Sequence, residues 1–166
     1  MASEKLSNRI ASLDIDENKE MKHEFINLKS KDGKIFRVPR GNANISDLVF
    51  AAIEGEPDAE EVPLPSVKAD VLTHIVEYMN KKKGDKTVVV VKPLKVTMED
   101  SCPGGKWDAE FINKVAEDKS LLRAMVMASN YMAINSLLHL SCARVGLSLK
   151  GKSKEKMMEE LDITKA

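Results

Sequence analysis

His23, His74, His139, Cys102 and Cys142 are the side chains of this 166-residue chain best suited to nucleophilic attack, imidazole proton transfer or zinc binding. Zinc needs three or four such groups brought together, and here only His139 and Cys142, three residues apart, are near one another in sequence. His74 falls beside an apolar helical stripe and reads as a surface or boundary residue. His139 is open to two readings, a partner contact or part of a solvated helix face. Cys102-Pro103-Gly104-Gly105 offers a thiol on a flexible loop, the one arrangement that suggests a thiol enzyme. A reactive thiolate wants a base or a helix N-terminus beside it, whereas Glu99 and Asp100 work against the anion. Gly151-Lys152-Ser153 lacks the upstream glycine of a phosphate-binding loop, and the basic run 150–156 reads as a solvated helix start. The expectation is therefore no catalysis, no cofactor, no metal and no small-molecule substrate.

Composition narrows the remaining classes. The 26 basic residues are balanced by 26 acidic ones, so no net field collects phosphates and nucleic acid is not expected as a partner. The longest apolar run, residues 48–53, is too short to span a bilayer. Glu4, Asp14 and Asp16 sit where a secretory signal would need apolar residues. Two cysteines outside any C-x-x-C pair suit a reducing compartment, cytosol or nucleus. Nine methionines against 4% aromatics allow either a Met-filled core or an adaptable binding surface.

Residues 1–24 are polar, with Leu6, Ile10 and Leu13 at helical spacing, and read as a disordered tail. Phe25-Ile26-Asn27-Leu28 and Ile35-Phe36-Arg37-Val38 have strand composition, and Asp32-Gly33 between them predicts a hairpin turn. A short helix is expected over 47–54, burying Leu48, Ala51 and Ala52. Pro63 and Pro65 impose extended backbone that cannot belong to a central strand. Val67, Val71, Leu72, Ile75, Val76 and Met79 predict one face of a helix, with Lys81-Lys82-Lys83-Gly84 at its end. Residues 85–106 read as an inserted loop in which Val88-Val89-Val90-Val91 forms a strand-like piece able to pair with an edge. After Trp107 the pattern is helical throughout, with Ser120, Asn135 and Ser153 as expected caps. The last helices hold more apolar positions than one face requires. Val145, Leu147 and Leu149 go around the helix, so some point away from the core, and an exposed apolar stripe implies a partner.

Several of these segments, in order, resemble the S-phase kinase-associated protein family, adaptor subunits of SCF (cullin–F-box) ubiquitin ligases. They are residues 26–36, Val62-Pro63-Leu64-Pro65-Ser66-Val67, Trp107-Asp108-Ala109-Glu110-Phe111, residues 128–134, Leu137-Leu138 and Lys150-Gly151-Lys152. The resemblance runs from Phe25 to Ile163. It implies an α+β BTB/POZ fold over 25–134, a small sheet flanked by helices, then a helical F-box-binding extension over 135–166. It further implies F-box contacts at Arg123, Val126, Leu138, Cys142, Val145 and Leu149, and cullin contacts at Asn130, Tyr131, Met132 and Ala133. Tyr131 has a second reading, as a core residue of the domain. Arg123 stands where the family commonly carries an aromatic, so partners presenting Asp or Glu opposite it are expected. Ala133 stands where the family usually has Asp, and the family usually continues past Leu161-Asp162-Ile163 into a further helix that closes over the F-box. A Skp-like subunit of an F-box assembly without a cullin is the alternative function.

Overall fold

The computed structural model describes residues 24–163, so the expected tail lies almost wholly outside the described residues. These form two compact units, the first ending at Asp85 and the second beginning at Lys86. That division falls at the start of the expected insert, whereas the sequence reading carries its first domain on to 134.

In the first unit, strands β1 (Phe25–Lys29) and β2 (Ile35–Pro39) pair antiparallel, with Ile26 opposite Val38 and Leu28 opposite Phe36. Alternation puts Ile26, Leu28 and Val38 in the core. Gly33 takes φ 84° in the turn, as the Asp-Gly pair requires. Asp32 does a second job there. Its Oδ1 accepts from the Ala69 amide at 2.9 Å, satisfying a donor at the start of a helix far along the chain. A hydrogen bond from Ser30, reinforced by backbone amides, holds the Asp32 carboxyl below its ordinary range. Strand β3 (Glu61–Pro63) lies parallel to β1 in the order β2-β1-β3. It is an edge strand, where proline costs no ladder bond.

Arg40 opens the short helix α1 (Arg40–Ala43) and ties down the approach to β3. Its guanidinium donates to the carbonyls of Phe25 (3.2 Å), Pro57 (2.9 Å) and Ala59 (2.6 Å). Helix α2 (Asp47–Gly55) is capped by Ser46 and buries Val49. The expected inner residues come out differently. Leu48 and Ala52 are half-buried and Ala51 is exposed, because a helix this short seats only a narrow stripe. Helix α3 (Ala69–Lys82) buries Val71, Leu72, Ile75, Tyr78 and Met79, while Val76 stays half-buried. It ends through Lys83 at φ 50° and Gly84 at φ 85°. A Cβ on Gly84 would stand 2.6 Å from the Gly41 carbonyl oxygen. Gly84→Ala therefore meets both an unfavourable dihedral and a backbone clash, and should lower stability by at least about 1–2 kcal/mol in chemical denaturation. An unchanged midpoint would show that the turn relaxes freely.

In the second unit the valine run forms no strand. Val91 donates to the Ser101 carbonyl at 2.8 Å, beside the short helix α4 (Met98–Ser101). Strand propensity needs a ladder to act on, and the run's local bonding is to a helix end. Helix α5 (Lys106–Val115) buries Ala109, Phe111, Ile112 and Val115, with Trp107 stacked on Phe111 at 4.9 Å. Helix α6 (Lys119–Tyr131) is capped by Asp118, not Ser120, through bonds to the amides of Ser120 and Leu121. Helix α7 (Asn135–Leu149) follows after three residues, with Asn135 inside its first turn and no side-chain cap. Ser153 caps helix α8 (Lys154–Glu160) as expected. Among the described residues no helix is long and apolar enough to cross a membrane.

Candidate protein-binding site

Helix α7 has two apolar faces. Leu137, Leu140, Ser141 and Ala143 are buried, so they define the face that packs inward. Leu138, Cys142, Val145 and Leu149 recur at steps of four, three and four, which stacks them in one narrow stripe on the opposite side. Cys142 is exposed and the other three are only half-buried. Leu147 falls on the inward side, so of the three residues expected to diverge, Val145 and Leu149 are the outward pair. A surface helix of an isolated domain needs one apolar stripe, and the second face awaits something else. Desolvation raises the Cys142 thiol above its ordinary value.

Helix α6 sorts its residues three ways. Leu122, Met125, Ala128 and Ser129 are buried. Arg123, Val126 and Asn130, at steps of three and four, share a flank next to that buried face. Tyr131 lies roughly 100° further round from Asn130, and Met127, four residues before it, roughly 60°. Met127 is 70% exposed and Tyr131 36%, which sets aside the reading of Tyr131 as a core residue. The four residues expected to form one cullin surface therefore divide. Asn130 and Tyr131 look in different directions, Met132 is fully buried, and Ala133 makes the turn into α7 with φ 51°. Met132 can support a surface only from beneath. Met127 was missed by the sequence reading, although its spacing from Tyr131 and its place off the inward stripe mark it.

Arg123 is already engaged. Its Nη1 donates to the Leu161 carbonyl at 3.0 Å and lies 3.4 Å from the Asp162 carboxylate. The acid expected from a partner is thus supplied by the chain's own C-terminal segment. Beside it, Glu160 Oε2 accepts from Lys119 Nζ at 2.9 Å and Lys152 Nζ at 3.0 Å. Those two hydrogen bonds, Lys119's first, hold the Glu160 carboxyl below its ordinary value.

The profile of the Skp1 family tetramerisation domain matches residues 24–84. The S-phase kinase-associated protein 1 homolog of Tetrahymena thermophila is 33% identical over 83% of this chain and 81% of its own length. The chain belongs to the Skp1 family. SKP1-like protein 20 of Oryza sativa subsp. japonica is 31% identical over 84% of the chain and 83% of its own length. For the Skp1-related protein of Caenorhabditis elegans the identity is 29%, over 86% and 82%.

The α+β architecture is that of a Skp1-family chain, a three-stranded sheet with helices followed by a helical extension. In this Skp1-family chain the segment expected as an insert, residues 85–106, reaches α7. Leu94 Cδ1 would lie 3.2 Å from a Cβ on Gly146, and Lys150 Nζ sits 3.5 Å from the carbonyls of Leu94 and Lys95. Glycine at 146 lets this segment approach the flank of the open stripe. Cys102 is 1% exposed, which weighs against its sulfur acting as the accessible thiolate that a thiol enzyme needs. Among the described residues no group of three or more His, Cys, Asp and Glu is arranged to hold a metal.

Proposed function

We propose that this chain is the adaptor subunit of an SCF-type E3 ubiquitin ligase, bridging an F-box substrate receptor to a cullin scaffold. The second apolar face of α7 carries the reading. Leu138, Cys142, Val145 and Leu149 run roughly 16 Å along the helix without a charge, the length and chemistry that a helical F-box buries. The flank of Arg123, Val126 and Asn130 on α6 serves the same partner. Tyr131 faces elsewhere on α6, with Met127 between it and that flank, which suits a second partner, the cullin. An adaptor of this kind performs no chemistry. It raises the effective concentration of a bound substrate near a ubiquitin-charged enzyme, in the cytosol or nucleus. A second reading, an F-box assembly without a cullin, draws on Ala133 standing where the family usually has Asp.

Thiol labelling tests the F-box half directly. In the native chain only Cys142 should react quickly, because Cys102 is buried. Saturating F-box peptide should slow Cys142 labelling at least about tenfold, since a helix over the stripe excludes the reagent. Labelling at an unchanged rate in the bound state removes the stripe from the site.

A further inference from the structure

Residues 89–97 form neither helix nor strand, yet they are held in place. Two glycines make room for them. A Cβ on Gly105 would stand 3.1 Å from Val89 Cβ, and one on Gly146 3.2 Å from Leu94 Cδ1. Ser101 pins the stretch between. Its carbonyl accepts from the Val91 amide at 2.8 Å, and its hydroxyl oxygen accepts from the Lys95 amide at 2.9 Å. The same hydroxyl donates to the Thr97 carbonyl at 2.8 Å. Ser101 is fully buried, so these bonds form away from competing water. A segment bonded in this way presents its side chains in fixed places. Val89, Val91 and Leu94 are half-buried. Val96 is 83% exposed, the most of any large apolar side chain among the described residues. Gly146 lies roughly 40° around α7 from Cys142 and roughly 60° from Leu149. Leu94 therefore borders the open stripe, on the side where Lys150 Nζ reaches the carbonyls of Leu94 and Lys95.

We propose that the F-box surface does not end at the edge of α7 but continues across Leu94 to Val96, with Ser101 positioning this second wall. The inference rests on the F-box reading of the α7 stripe given above. A helix with its side chains is about 10–12 Å across, wider than a single stripe of residues. An F-box helix laid along Leu138, Cys142, Val145 and Leu149 thus overhangs Gly146, which has no side chain to meet it. Leu94 fills that gap, and Val96 offers an apolar contact beyond it. Because the segment is already ordered, the contact forms with little further loss of entropy. The wall also discriminates. An F-box with an apolar side chain on that flank gains the contact, and one with a charge there is left with it facing valine.

The test uses the full chain and an F-box peptide in isothermal titration. Val96→Gln should weaken binding about three- to tenfold and leave the thermal melt unchanged, since the side chain is solvated in the free chain. Ser101→Ala should speed hydrogen exchange at the Val91 and Lys95 amides and weaken binding by a similar factor. Added to Ser101→Ala, Val96→Gln should cost less than about twofold more, because a loosened segment no longer presents the valine. Fully additive effects would overturn the positioning role of Ser101. Val145→Glu is the control for the stripe. If it abolishes binding while Val96→Gln binds like wild type, the F-box stops at α7 and the wall is overturned. If Val145→Glu also binds like wild type, the F-box reading of the stripe fails, and the wall with it.

Discussion

Val145→Glu should abolish measurable binding of an F-box peptide while leaving the free chain folded. Val145 is half-buried at the middle of the open stripe, so in the free protein a glutamate there can turn into water. In the complex it cannot. The variant forfeits the roughly 1.5–3 kcal/mol that a buried aliphatic side chain contributes. It also strands a carboxylate in an apolar interface, a penalty of several kcal/mol more. Together these correspond to a loss of at least about a hundredfold in affinity, since about 1.4 kcal/mol is a factor of ten. Isothermal titration against the wild-type peptide, with a thermal melt as the control, decides the matter. A dissociation constant within a factor of two of wild type would exclude the stripe.

Tyr131→Ala should abolish capture of a cullin N-terminal domain and leave F-box binding within about twofold. Tyrosine is a frequent interface anchor, joining a large apolar ring to a hydroxyl that stays hydrated at the rim, and truncating such an anchor commonly costs about 2 kcal/mol or more. The ring is exposed and lies next to Met127, one helical turn earlier, so the free chain should melt at nearly the wild-type temperature. Met127→Glu ought to reproduce the defect from the neighbouring position. The separation of the two activities follows from geometry, because Tyr131 lies roughly 100° around α6 from the flank of Asn130, Val126 and Arg123. Loss of both bindings with a lowered melting temperature would show that Tyr131 supports the fold and not a cullin contact. Full F-box binding with no cullin capture by the wild-type chain would favour the assembly without a cullin.

Much of the fold is legible in local chemistry. Asp32-Gly33 between two short β-rich runs leaves few alternatives to a hairpin, and prolines at 63 and 65 place the third strand at an edge. The α3 stripe is likewise readable, since period and burial coincide at Val71, Leu72, Ile75 and Met79. Helix starts are less so. Ser120 and Asp118 are both competent caps two residues apart, and which one serves depends on where the incoming chain bends. Asn135 looks like a cap but lies inside its helix, because the turn through Ala133 starts the helix one step earlier. Four consecutive valines promise a strand, yet a strand exists only where a neighbour offers a ladder, and that neighbour is a matter of distant sequence.

The sequence by itself determined the hairpin, the long helices, and the surplus of apolar residues on the last helices. Composition and periodicity act within a few residues, so they are written along the chain. Tertiary structure alone decided which face of α7 remains open, that Met132 lies under the surface it was expected to form, and that Met127 stands out from it. It alone set Leu161 and Asp162 against Arg123, 38 residues away for the first of them. Burial and charge pairing depend on every element packed around a side chain, and no local pattern carries that sum.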